Sequence, residues 1–395
     1  MAQAQLAYIT PEVIAWARKL DYITIDDAAK AVTVKRDKIV AWEQGESLPS
    51  INQAKKLAKK YRVPYVYFFL PSPPDKYKRP KNTDYRTFTY EAFFPNGQSS
   101  KLSFLIRDVM DRRDVMLEMY SKLNYETAPF DAFIDLEKRD ELAIASYVRN
   151  LIGLSKEKQF KFRKTDEAFK FYLDTFEKLG ILVFQAAGID PVEMRGMSIY
   201  ENIFPIIVVN RKDEISARIF TMFHELVHIL SRTPGICDTM YNFNSKSTKE
   251  IELMCNRIAA KILVPEELLN TSPHLSNIKR YGWDDEYIRS IARDFAVSRE
   301  VVIGRLHEMN IIKLDFYLKK LSLYCKEYAN YSEKKKNLSN GFLPPSTDIS
   351  SQVGKLYART VISAFNQEII TPKVASGYLS GLRLQHFEKV ERWCF

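Results

Sequence analysis

The sequence predicts an α+β protein, mainly α: an N-terminal five-helix domain, a central domain of helices with a small sheet, and a small helical C-terminal tail. Three observations predict it. Residues 10–69 break into five short helical segments with their own start and stop signals. Residues 70–82 (LPSPPDKYKRPKN) are too rich in proline and lysine to continue a helix and divide that segment from the rest. After Gly180, two short runs rich in β-branched residues, 181–184 (ILVF) and 205–209 (PIIVV), read as strands in a helical surround.

Taken in order, Thr10-Pro11 reads as an N-cap followed by proline in the first turn. The second helix opens at Thr24, with Asp26 and Asp27 at its positive end. A tight connection at 32–34 leads to a third helix, 35–43, stopped at Gly45. A fourth covers about 50–62. A fifth begins at Pro64, and its aromatic run 65–69 is expected to pack on the first four. Residues 100–178 read as largely helical. A helix at 214–230 follows the second strand, and another at about 249–264 ends before Pro265. Two short helices, 285–296 and 299–309, flank Val297-Ser298. They read as structural, with Arg293, Arg299 and Arg305 on a solvated face. The expected domains are 1–70, a linker 71–99, a central domain 100–332, a polar linker 333–347 with Pro344-Pro345, and a helical domain 348–395.

Hydrophobic residues make up 46% and charged residues 27%, which supports packed cores and excludes a disordered chain. The net charge of +10 suits acidic partners such as nucleic acid. Cys237, Cys255, Cys325 and Cys394 form no CxxC pair, so neither a disulfide framework nor a cysteine zinc knuckle is expected, and reduced thiols in the cytoplasm fit better. The opening MAQAQLAYITPEV lacks a basic start and an apolar run, so no signal peptide is expected, and no segment reaches membrane-spanning length.

The sharpest feature is His224-Glu225-Leu226-Val227-His228. Residues four apart share a helix face, so the two imidazoles can hold one Zn²⁺, with Glu225 beside them as general base for a zinc-activated water. A third ligand is needed. On the following helix Glu252 shares the apolar face of Cys255, Ala259 and Leu263, whereas Glu250 lines up with Met254, Arg257 and Lys261 on a mostly solvated side. A carboxylate on a buried face needs a partner, so Glu252 is the expected ligand. Tyr241, His274 and His307 are downstream candidates for an oxyanion donor, and the sequence does not choose among them.

The run Arg195-Gly196-Met197-Ser198, then PIIVVN (205–210), ARIFTMFHELVHIL (217–230) and EIELMCNRIAAKILVPEE (250–267), resembles the ImmA/IrrE metallopeptidase family. Asp84-Tyr85-Arg86-Thr87 resembles that family's D-[FY]-R-T motif, so the likeness spans about residues 84–310. It implies a zincin-like metallopeptidase fold, with zinc ligands at His224, His228 and Glu252 and the catalytic glutamate at Glu225. It further implies a regulatory endopeptidase acting on a helix-turn-helix repressor or an operon partner. Residues 10–62 resemble an Xre/Cro-type helix-turn-helix through Ala28-Ala29, Val34, Ile39 and Trp42-Glu43-x-Gly45. Lys35, Arg36 and Lys38 are then the candidate contacts to double-stranded DNA. Ile25, Val40 and Ala41 stand where polar base-reading residues are common, so a protein-contact or homodimer role competes with DNA binding. The alternative function is a DNA-binding repressor or antitoxin of a toxin–antitoxin or phage-defence operon, whose peptidase-like domain binds a repressor or toxin partner without turnover.

Overall fold

Start and stop chemistry lays out the first helices. The computed structural model describes residues 5–74, 99–138, 140–233, 235–237, 246–337 and 345–395. Helices α1 (Pro11–Leu20), α2 (Ile25–Val32), α3 (Arg36–Gln44) and α4 (Ile51–Lys60) follow the expected signals. The Thr24 hydroxyl accepts from the Asp27 amide at 3.0 Å, and Ser50 with Gln53 closes a reciprocal cap on α4. Gly45 stops α3 in the left-handed region, with φ 79°. The fifth segment, Tyr65–Phe69, is a 3₁₀ turn rather than an α-helix. Its packing is as expected: Phe68 is fully buried and meets Tyr61 and Tyr65 edge-on.

These elements close over Val13, Ile14, Ala28, Ile39, Trp42 and Leu57. Arg18 spans α1 to α3, with two guanidinium nitrogens on the Glu43 carboxylate at 2.6 and 2.9 Å and a third on the Ile23 carbonyl. Helix α5 (Ser100–Lys122) begins against the same unit, where Ser103 donates to one oxygen of Asp21 and Arg107 pairs with the other, both at 2.6 Å. The chain divides into two units, Met1–Asp111 and Arg112–Phe395, so the division falls inside α5. The Asp84–Thr87 motif lies outside the described residues.

The second unit is built on a four-stranded sheet of order β1-β3-β2-β4. Strand β1 (Leu182–Ala186) runs parallel to β3 (Ile206–Asn210), and β2 (Gly196–Ile199) is antiparallel to both β3 and β4 (Gly235–Cys237). The two runs read as strands are β1 and β3. Strands β2 and β4 are additions, each too short to show alternation. Helix α6 (Glu141–Leu151) and α7 (Thr165–Lys178) precede the sheet. Helix α8 (Ile215–Ser231) lies across β2 and β3 and against α7 and α9 (Lys246–Leu263), which in turn packs on α6. From Thr221 to Leu230 every residue of α8 is buried, the mark of a helix enclosed on all sides. Phe223 sits edge-on to Tyr172 and Phe176 of α7 at 4.8 and 5.4 Å. Asn210 ends β3 and ties the preceding loop to the sheet, donating to the carbonyls of Met194 and Ile189 and accepting from the Lys212 amide.

Helices α10 (Asp285–Asp294) and α11 (Arg299–Glu308) correct the expected solvated arginine face. Arg293 is exposed, but Arg305 is 2% exposed. Its Nε donates to the Val264 carbonyl at 3.0 Å, and its guanidinium pairs with Glu308. Arg299 pairs with Asp285 and Glu327 and stacks on Tyr324. Lys261 is likewise buried rather than solvated, held by Glu141 and Glu308. Both side chains close the carboxyl end of α9, where a buried cation is tolerated because carbonyls and carboxylates face it.

Helix α12 (Leu314–Asn337) carries the start of the polar stretch expected as a linker at 333. After it, α13 (Pro345–Val353), α14 (Lys355–Asn366) and α15 (Phe387–Cys394) form the tail. Leu182 and Ala186 spend their backbone groups on the β3 side, so the Val183 carbonyl points outward from the sheet. Gly354 occupies that space in a left-handed conformation, φ 75°, and a Cβ there would lie 2.5 Å from the Val183 oxygen. Glu177 then caps α14, its two oxygens accepting the Lys355 and Leu356 amides at 2.7 and 2.9 Å. Burial pushes this carboxyl up to about 7 against the pull of those amides. Among the described residues, no helix is long and apolar enough to cross a membrane.

Candidate metal centre

Helical spacing puts His224 and His228 one above the other on α8, both fully buried, with their Nε2 atoms 3.1 Å apart. From α9, Glu252 reaches both: Oε2 lies 3.1 Å from His224 Nε2 and Oε1 lies 3.2 Å from His228 Nε2. Cys255, Ala259 and Leu263 on the same face are fully buried, as the periodicity predicts, while Glu250 is exposed. The three side chains form the one group of this kind found among the described residues. Ligands 2.0–2.2 Å from a tetrahedral zinc stand roughly 3.3 Å from one another. The separations here fit that spacing, and two imidazoles with one carboxylate are a donor set for a zinc that keeps an open position.

The electrostatics follow from burial and charge. Burial opposes the charge on Glu252, but the two imidazoles outweigh it and bring the carboxyl down to about 2. Burial likewise opposes protonation of His224, yet Glu252 and Glu225 raise its affinity for a proton overall. Glu225, fully buried, is pushed up chiefly by desolvation. Its Oε2 accepts from the Ser198 hydroxyl of β2 at 2.6 Å, and its Oε1 has no hydrogen-bond partner among the described residues. An unpaired buried carboxylate oxygen beside the cluster is what a proton acceptor needs.

Ser198 lies in the run that carries the family resemblance, but no sequence signal gave it a role. Gly196, two residues earlier, lets α8 approach the strand: a Cβ there would stand 2.2 Å from Thr221 Cγ2 and 3.1 Å from Glu225 Oε1. Thr233, just past α8, is also new to the site, its hydroxyl 3.0 Å from His228 Nδ1. Of the three oxyanion candidates, two lie among the described residues. His274 faces Asp294 at 3.6 Å, and His307 is stacked on Tyr317 with Nδ1 at the Ile312 carbonyl, so neither joins the cluster. Tyr241 lies outside the described residues. In the first unit, Lys35, Arg36 and Lys38 are exposed around the amino end of α3, with Arg36 3.5 Å from Asp26.

Residues 176–307 match the M78 peptidase family model, described as an IrrE N-terminal-like domain, and residues 14–68 match a helix-turn-helix model. The chain joins an IrrE-like domain to a helix-turn-helix domain of the Xre/Cro type. The IrrE-like match takes in all four strands, α8, α9 and the three clustered side chains. The helix-turn-helix match runs from within α1 to the 3₁₀ turn. No curated protein matches the chain.

Proposed function

We propose that this protein is a zinc-dependent regulatory endopeptidase whose target is a specific protein, a helix-turn-helix repressor or an operon partner. The observation that carries the reading is the convergence of His224, His228 and Glu252 to within 3.2 Å, with the unpaired Oε1 of Glu225 on the same helix. Zinc held by these three side chains supplies a Lewis acid that makes water acidic and polarises a carbonyl. Glu225 takes the proton on Oε1 and passes it to the leaving amine, while Ser198 fixes Oε2 and so the direction in which the free oxygen points. The helix-turn-helix domain brings the peptidase to its protein or DNA partner. The cytoplasm is the expected setting for such a target.

The first test is metal content. Purified wild-type protein is expected to carry about one zinc per chain, and His228→Ala, which removes one of three ligands, is expected to lose it. A folded wild-type protein that takes up no zinc sinks the peptidase reading.

The second reading is a DNA-binding repressor or antitoxin that binds its partner without turnover, and the exposed Lys35, Arg36 and Lys38 at the amino end of α3 favour it. Each phosphate contact adds about 0.9 to the slope of log affinity against log salt. Replacing all three by alanine is therefore expected to flatten that slope by about 2–3 on duplex DNA. An unchanged slope removes α3 from any DNA interface.

A further inference from the structure

We infer that Thr233 and Ser231 fix the tautomer of His228: a one-way chain of hydroxyl donors keeps the hydrogen of the neutral ring on Nδ1 and leaves the Nε2 lone pair facing the metal cluster. The inference rests on the reading of that cluster as a metal site. It comes from counting hydrogens. The Ser231 hydroxyl lies 2.8 Å from the Val227 carbonyl and 3.2 Å from the His228 carbonyl. Carbonyl oxygens only accept, so the single Ser231 hydrogen points back at the helix. Its oxygen also lies 2.7 Å from Thr233 Oγ1. With the Ser231 hydrogen already committed, Thr233 is the donor in that pair. Its own hydrogen is then spent, and it faces His228 Nδ1 at 3.0 Å as an acceptor. Nδ1 must carry the hydrogen, and a neutral imidazole has only one.

The reverse order fails. If Thr233 donated to Nδ1, Ser231 would have to donate to Thr233, and its lone pairs would oppose the Val227 oxygen at 2.8 Å. Cys255 Sγ also lies 3.9 Å from Nδ1, and with the hydrogen on Nδ1 the sulfur is its weak acceptor. On the other side of the ring, Nε2 meets Glu252 Oε1 and His224 Nε2, and a proton held there is the one a metal displaces.

The helix terminus builds this arrangement. Arg232 ends α8 in the left-handed region (φ 53°, ψ 34°), and the Thr233 amide then donates to the His228 carbonyl at 3.0 Å, folding Thr233 back over the last turn. Arg232 is held over the Phe133 and Tyr200 rings, at 5.1 and 5.2 Å. His224 has no hydroxyl relay of this kind: besides Glu252, the side chain that hydrogen-bonds it is Asn256. The second imidazole therefore comes to the metal with its donor nitrogen preset by hydroxyls of its own helix end. Thr233 is a positioning residue, acting through His228.

The test is zinc affinity by chelator competition on the full chain, for the wild type, Thr233→Val and Thr233→Ser. Valine keeps the shape and removes the acceptor, so a 10–100-fold weaker affinity is expected, and serine is expected to restore most of it. Circular dichroism and the Tm of the zinc-free proteins verify that both variants fold. Nitrogen-15 spectra of the metal-free wild type are expected to show a hydrogen of His228 on Nδ1. Equal affinity in Thr233→Val and wild type, or no hydrogen on Nδ1 in the spectra, overturns the inference. A wild type that takes up no zinc overturns the metal reading instead, and the spectra still decide the tautomer.

Discussion

Glu225→Gln is expected to keep its zinc and lose about 10³-fold in cleavage of the protein target, since general acid–base catalysis contributes 10²–10⁴-fold. The amide preserves the volume of the side chain, and its oxygen still accepts from Ser198, which sits 2.6 Å from Oε2. No zinc ligand is touched. What disappears is the basic oxygen, Oε1, which stands unpaired in the buried site. The measurement is the time course of cleavage in a mixture of the chain and its captured partner, with zinc content determined on the same samples. A variant that retains zinc and cleaves at the wild-type rate removes Glu225 from the chemistry. A wild type that binds zinc and its partner but cleaves nothing favours the non-catalytic repressor or antitoxin.

Gly196→Ala carries the largest expected structural effect. Its Cβ would meet Thr221 Cγ2 at 2.2 Å, far inside any real contact, with the Val208 carbonyl at 3.2 Å behind it. Thr221 is β-branched and enclosed on a helix buried all round, so neither its rotamer nor the helix yields cheaply. Overpacking of this kind costs about 1–3 kcal/mol. Urea unfolding should show that loss, and zinc affinity should fall with it because α8 carries both histidines. The double variant Gly196→Ala with Thr221→Ser removes the offending methyl group and is expected to recover most of the stability. If Gly196→Ala alone is as stable as the wild type, the close approach of α8 to β2 is wrong.

Much of this centre was legible in the sequence because it depends on periodicity. The spacing of His224 and His228 is a property of one helix, and the choice of Glu252 over Glu250 follows from the buried face of Cys255, Ala259 and Leu263. The helices of the first unit were legible for the same reason, through Thr24, Gly45 and Ser50. What escaped depends on contacts distant in sequence or on hydroxyls without a pattern. Ser198 meets Glu225 only because β2, four residues long and opened by a glycine, pairs between two longer-range neighbours. Arg305 reads as a surface residue until the Val264 carbonyl, 41 positions away, is seen to receive its Nε. Thr233 gains its role from a left-handed residue that no preference would place at Arg232.

The clasp of Glu177 and Gly354 on β1 has a consequence for how the second unit is made. Glu177 and the amide it accepts at Lys355 are 178 positions apart. A chain synthesised from its amino end therefore holds the outer rim of β1 open until those 178 further residues have been added. Contacts of such long separation form late, because the loop must close before it is rewarded. In that interval the outward Val183 carbonyl offers a pairing partner to any extended segment nearby. The histidines and Glu252 are all made well before the clasp, so the metal cluster can assemble on a sheet whose last side is still unsealed.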